Sequence, residues 1–163
     1  MDILNAYWRM DYVQSQGEKP PSEHNPFVSL PKMGDDRAAL IVYRGEAHYI
    51  VLNKFPYNPG HMLIVPYEAV PELGDLSAEA RAEMMELIVF GQNLLKRAMS
   101  PDSFNVGLNL GKTAGAGIPE HLHCHIVPRW NGDVNFMPVI GKTRVLPQAL
   151  DQTWQVLKQH LND

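Results

Sequence analysis

His121-Leu122-His123-Cys124-His125-Ile126-Val127 is the stretch on which the reading of this chain turns. Side chains alternate faces along a β-strand, so the pattern predicts three imidazoles in a row on one face, about 6.5–7 Å apart. Leu122, Cys124 and Ile126 then pack on the other face. Imidazole has the ordinary side-chain pKa nearest neutrality, and a row of three can supply a nucleophile, a proton donor and a phosphate ligand without a metal. The same row can hold a metal ion, because imidazoles two apart on a strand can share one.

Immediately upstream lies a glycine-rich loop, residues 111–119, in which Gly115, Ala116 and Gly117 leave backbone N–H groups uncovered by large side chains. Such a run can wrap a phosphate at close approach, although by itself it is also an ordinary long turn. Placed just before the histidines, it would converge with them on one phosphorus.

Further out, residues 104–110 form another apolar, strand-like run, and three more occur at 38–43, 48–52 and 61–66. The first two of these flank Arg44-Gly45-Glu46-Ala47, which reads as a hairpin, and the next connection is the turn-rich 55–60. Between 77 and 99 the period becomes helical, with Met84, Leu87, Ile88, Gly91, Leu94, Leu95 and Ala98 on one stripe. Glu79 in its first turn and Lys96 and Arg97 in its last suit the helix dipole. A final helix is expected from Pro147, burying Leu150, Trp154, Leu157 and Leu161. The expected class is α+β: a five-stranded antiparallel sheet with a long helix and a C-terminal helix. Residues 1–37 read as an arm, extended or helical over 4–13 and mobile at Gly17-Glu18-Lys19-Pro20-Pro21-Ser22, and residues 38–163 as the domain.

Composition limits the function classes. A chain of 163 residues, 45% hydrophobic and 20% charged, suffices for one core. A formal net charge of −4 argues against a nucleic-acid partner bound by neutralising many phosphates. No apolar run approaches the ~20 residues of a membrane span, and the N-terminus lacks signal-peptide blocks. The single cysteine, Cys124, fits a reducing, cytoplasmic setting.

The complete run from His121 to Val127 resembles the signature of the histidine-triad (HIT) family, His-φ-His-φ-His-φ-φ with φ apolar. Asn53 followed by Pro59-Gly60-His61-Met62-Leu63-Ile64-Val65-Pro66 resembles the family's nucleotide-site strand. The flanks Tyr7-Trp8-Arg9-Met10-Asp11-Tyr12, 115–120 and Pro128-Arg129-Trp130-Asn131-Gly132-Asp133 resemble the fragile-histidine-triad-like bacterial branch, which includes diadenosine tetraphosphate phosphorylases.

The resemblance implies a nucleotidyl transfer from a dinucleoside polyphosphate to phosphate through a nucleotidyl-histidine. His123 would be the nucleophile, oriented by the backbone carbonyl of His121, with His125 and His61 on the phosphate oxygens. Asn53 would hold the ribose and Asn109 the phosphate or leaving group; read from the residues alone, both are equally turn or strand-edge groups. Many family members carry a Cys-x-x-Cys zinc pair where this chain has Asn25-Pro26-Phe27-Val28, which implies no structural zinc. Hydrolase-type members place Gln or a hydroxyl residue before the triad where Ala116 and Gly117 stand here, which implies room for inorganic phosphate. No cofactor is required by the protein, and Mg²⁺ would enter only on the substrate's phosphates. The family also implies a homodimer with a ten-stranded sheet, or a higher homo-oligomer. Two alternatives remain: a hydrolase of the same substrates that uses water, and a nucleotide-binding regulator with little turnover. Trp130 rims the pocket, packs or lies at an interface, and His24, His48 and His160 have no motif context.

Overall fold

The structure, a computed structural model, describes residues 25–133 and 149–161. The expectations for the arm at 4–13, the segment at 17–22, the block at 7–12 and the helix start at Pro147 lie outside the described residues. The elements are α1 (Pro26–Ser29), β1 (Ile41–Arg44), β2 (His48–Leu52), β3 (Met62–Pro66), α2 (Ala78–Met99), β4 (Ser103–Leu108), β5 (Cys124–Arg129) and α3 (Leu150–Gln159). The strands form one antiparallel sheet in the order β1-β2-β3-β5-β4. The α+β class read from the sequence is the class observed.

Alternation along the strands divides the interior into two cores, one on each face of the sheet. On one face Ile50, Leu52, Met62, Ile64, Cys124 and Ile126 meet Met84, Leu87, Leu94 and Leu95 of α2 and Leu157 of α3. Leu94 and Leu95 are fully buried, each contributing about 1.5–3 kcal/mol in area removed from water. Gly91 lets α2 approach closely: a Cβ there would stand 2.9 Å from Ile126 Cδ1. On the opposite face a smaller core holds Phe27, Ile41, Tyr49, Val51, Leu63 and Val65. Phe27 belongs to the stretch preceding residue 38, so the described end of the arm is packed into the domain.

α2 starts where Ser77 accepts the Ala80 N–H and ends where Ser100 turns left-handed at φ 48°. Its Glu83 reaches back to the β1–β2 turn, where Oε2 accepts the Ala47 N–H at 2.9 Å and lies 2.7 Å from Nδ1 of buried His48. His48, without motif context in the sequence, thus braces helix against hairpin. Among the described residues no helix is long and apolar enough to cross a membrane.

Strand boundaries differ from the sequence reading in β1, β3, β4 and β5, by a single residue at the start of β3, which begins at Met62. Residues 38–40 form a turn with Leu40 at φ 59°, so β1 begins at Ile41. β4 covers Ser103–Leu108 and stops short of 110. The largest difference is at the histidines: β5 begins at Cys124, so only His125 of the three lies on the strand. The cause is pairing. The β3 ladder ends at Ile64↔Cys124, and residues 121–123 turn to the connection after β3, where the Leu122 N–H donates to Val70 O at 2.7 Å. The alternation of faces survives, with Leu122, Cys124 and Ile126 all in the α2-side core.

Candidate active site

Four imidazoles meet on the face away from α2, and their hydrogen bonds fix where each proton sits. Asn25 caps α1, its Oδ1 accepting the Phe27 N–H at 3.0 Å. A backbone N–H only donates, so the atom facing it is the amide oxygen. The Asn25 Nδ2 then donates to His121 Nδ1 at 3.0 Å, and that nitrogen is unprotonated. The other end agrees independently: His121 Nε2 lies 2.8 Å from the acceptor Pro66 O and carries the proton. His123 Nδ1 lies 2.8 Å from the carbonyl of His121, so it donates. The neutral ring of His123 is left with its lone pair on Nε2, the arrangement the family resemblance implied for a nucleophile.

The second pair is set in the same way. Tyr57 N–H donates to His61 Nδ1 at 3.0 Å, so the His61 proton is on Nε2 and goes to His125 Nδ1 at 2.9 Å. His125 accordingly holds its own proton on Nε2. One imidazole thus presents a lone pair and its neighbour on the same face an N–H donor, with their ring centroids 5.1 Å apart.

Aromatic rings hold both pairs in place. Phe27 packs edge-on to His121 at 5.4 Å and tilted against His123 at 5.1 Å, while Tyr49 Oη donates to Phe27 O at 2.7 Å. Tyr57 stacks on His61 at 4.8 Å and lies nearly parallel to His125 at 6.1 Å. Burial pushes the pKa values of His121 and His123 down, against the raising effect of their hydrogen bonds to carbonyls. Both are therefore neutral near pH 7. Burial pushes the Cys124 thiol up to about 11, and it packs in the α2-side core as an unreactive group.

The remaining expected residues are placed unevenly. Asn53 Oδ1 accepts the Phe55 N–H at 2.9 Å and its Nδ2 lies 3.4 Å from His61 Nδ1, so it borders the histidine cluster while capping its own loop. Asn109 directly follows Leu108, the last residue of β4, which pairs with Cys124 at the start of β5. The glycine-rich loop departs from the reading of an open N–H cradle. Gly115 N–H donates to Lys112 O at 3.0 Å and Ala116 N–H to Gly111 O at 3.4 Å, because the loop winds into a 3₁₀ turn that takes up these two donors. Ala116 is itself buried.

Asn25, Phe27, Tyr57 and Gly107 are site neighbours that the sequence reading did not assign. Gly107 pairs with His125, and a Cβ there would meet nothing within 4 Å, so the face beside His125 is left clear. Trp130 opens a turn whose Asp133 accepts its N–H at 3.2 Å and forms a bidentate pair with Arg129. Asn58 ties that turn to the Tyr57 loop, donating to Asp133 Oδ2 at 2.7 Å and Pro128 O at 3.0 Å. Among the described residues no three His, Cys, Asp or Glu side chains are grouped as a metal site requires.

The HIT domain family model matches residues 36–132, more than half of the chain. This chain belongs to the HIT family. An AP-4-A phosphorylase from Mycobacterium tuberculosis is 43% identical over 164 aligned residues, spanning 96% of this chain and 84% of the relative. A Schizosaccharomyces pombe bis(5'-nucleosyl)-tetraphosphatase (asymmetrical) is 32% identical over 57% of this chain and 50% of its own length. Among solved HIT structures, a zinc-bound histidine triad family protein from Mycobacterium smegmatis superposes with a TM-score of 0.63 at 26% identity, covering 76% of this chain and 84% of that one. Plasmodium falciparum diadenosine triphosphate hydrolase in complex with cyclomarin A shares the fold, with a TM-score of 0.63 at 18% identity and 97% coverage of each chain. With an enzyme of the HIT family matched along nearly its whole length, this chain is a HIT-family enzyme.

Proposed function

We propose that this protein transfers a nucleotidyl group from a dinucleoside polyphosphate, diadenosine tetraphosphate in particular, to inorganic phosphate through a nucleotidyl-histidine at His123. The observation that carries the reading is the 2.8 Å hydrogen bond from His123 Nδ1 to the His121 carbonyl, which leaves a buried, neutral imidazole with a lone pair on Nε2. The 43% identical AP-4-A phosphorylase supports the choice of substrate and acceptor.

In the first step Nε2 of His123 attacks the α-phosphorus, the P–O bond to the departing nucleoside polyphosphate breaks, and the ring becomes cationic. The His121 carbonyl, still accepting from Nδ1, stabilises that charge. The His125 N–H, its tautomer fixed through His61, supplies a donor for phosphate oxygens as negative charge moves to the leaving group. In the second step an oxygen of inorganic phosphate attacks the same phosphorus, the P–Nε2 bond breaks and His123 returns neutral. Diadenosine tetraphosphate and phosphate thus give ATP and ADP. Asn53 on the ribose and Asn109 on the phosphates complete the proposed contacts.

A hydrolase is the second reading, favoured by one observation: the N–H groups of Gly115 and Ala116 close on their own loop rather than facing a second anion. The deciding assay is diadenosine tetraphosphate with and without millimolar phosphate, resolving ADP from AMP. Phosphate-dependent ADP is expected; AMP predominating in its presence gives the hydrolase. A nucleotidyl group trapped on His123 by denaturing quench separates either enzyme from a regulator that merely binds nucleotide.

We also place the protein in the cytoplasm as a homodimer joined edge to edge. β4 is an outer strand with Val106 exposed, and a second copy pairing along it would cover that side chain. Light scattering after size exclusion is expected to return about twice the mass of one chain.

A further inference from the structure

Asn25 lies 96 residues from His121 in sequence and does two jobs with one amide: its oxygen caps α1 and its nitrogen faces an imidazole. We propose that Asn25 is a positioning residue for His123, holding His121 neutral and in the one tautomer that keeps its peptide carbonyl on the nucleophile. The proposal rests on the nucleotidyl-histidine reading above.

His121 is gripped at both ring nitrogens, by Asn25 Nδ2 at 3.0 Å and Pro66 O at 2.8 Å. Charging the ring would place a proton on Nδ1, pointing it at the Asn25 amide N–H groups, donor against donor. The amide therefore excludes the imidazolium, and Pro66 excludes the other neutral tautomer, because a bare Nε2 would face a carbonyl oxygen.

A ring fixed at both ends fixes the peptide that carries it, and that peptide's oxygen receives the His123 Nδ1 proton at 2.8 Å. Phe27, whose N–H is held by the same Asn25 side chain, presses on both imidazoles. The titratable groups bearing on His121 are His123 and Glu120. During turnover His123 becomes cationic, and a neutral His121 spares it a like charge alongside. Asn25 thus reserves the positive charge of the pair for the covalent intermediate.

Asn25→Asp is the informative variant because it is nearly isosteric and its carboxylate still accepts the Phe27 N–H. Only the donor to His121 is lost, replaced by an acceptor that calls for a proton on Nδ1. In the phosphorolysis assay kcat is expected to fall about 10- to 100-fold, the scale of a slightly misplaced reacting group, with KM within about twofold. Nitrogen-15 NMR of the histidine rings is expected to show His121 protonated on Nε2 alone in the parent and on both nitrogens at pH 7 in the variant. An unchanged kcat in the variant, or a His121 proton on Nδ1 in the parent, overturns the proposal. The parent spectrum decides the matter even where the variant does not fold. Failure to trap nucleotide on His123 in the parent is a separate result, and it overturns the reading of the reaction rather than the tautomer of His121.

Discussion

In the proposed reaction His123 is oriented by a carbonyl rather than a carboxylate. The His121 oxygen orients the ring without adding a full negative charge that would raise its pKa, and burial moves that pKa the other way. Two outcomes follow. His123→Ala is expected to lower kcat by about 10⁴-fold or more while leaving KM near the parent value, since the pocket stays and only the attacking atom is lost; a variant keeping a tenth of the parental rate would move the nucleophile elsewhere. In a profile of kcat/KM against pH, the acid limb assigned to His123 should lie below the ordinary histidine value of about 6.5, because its lowered pKa keeps the lone pair available there. An acid limb above 7 would contradict the burial argument. At this scale the triad and His61 were legible in the sequence, since their spacing and Pro-Gly-His context are local. Asn25, Phe27 and Tyr57 were not. They become neighbours of the histidines only through the packing of α1 and of the loop before β3, and no spacing rule carries that information.

The elements that support the site depend on a few contacts that substitution can probe. Glu83 of α2 clamps the β1–β2 turn through the N–H groups of Glu46 and Ala47 and through His48. Burial works against its charge, but these hydrogen bonds outweigh it and hold the carboxyl below its usual range. Removing it as Glu83→Ala leaves buried His48 and the two turn N–H groups without their acceptor, and a loss of about 1–3 kcal/mol in urea unfolding is expected; a loss under half a kcal/mol would show that water replaces the carboxylate freely. Gly60 turns the chain into His61 at φ 76°, where a Cβ would stand 2.9 Å from Leu95 Cδ2. Gly60→Ala is expected to cost about 2–4 kcal/mol from strain and overpacking together, read by the same unfolding measurement. The apolar stripe of α2 was legible because a helix repeats its own period. The start of β5 was not, because alternation continues smoothly through 121–123, while the ladder stops where β3 runs out of partners.

For the whole molecule, acid should loosen the fold in two stages. His121 and His123 have folded pKa values below the ordinary value, so their share of stability is complete above about pH 6.5 and is lost as pH falls from there through the depressed values. Asp133 is held well below the carboxylate range, chiefly by the Arg129 guanidinium, and its share is present above about pH 4 and lost below it. Thermal unfolding from pH 7.5 to 3.5 should show both declines, and a midpoint that rises on acidification would refute the assignment. The class and the sheet were legible at this scale because five apolar runs and one long helical period leave few arrangements. The two-sided core, with Phe27 brought from before residue 38, was not, since nothing in an isolated segment says which face of a sheet it will cover. The hydrogen bond between His61 and His125 joins residues 64 apart, with all of α2 and β4 lying between them in the chain. It is therefore a matter of timing as well as geometry. The β1–β2–β3 meander can form from neighbouring segments, but the β3–β5 pairing waits for a long loop to close, and non-local contacts of this kind arrive late. Catalytic competence is then among the last properties a refolding molecule acquires: when samples are withdrawn after dilution from urea, enzyme activity should trail the recovery of far-ultraviolet circular dichroism, so that turnover measures the molecules that have finished folding rather than those that have begun.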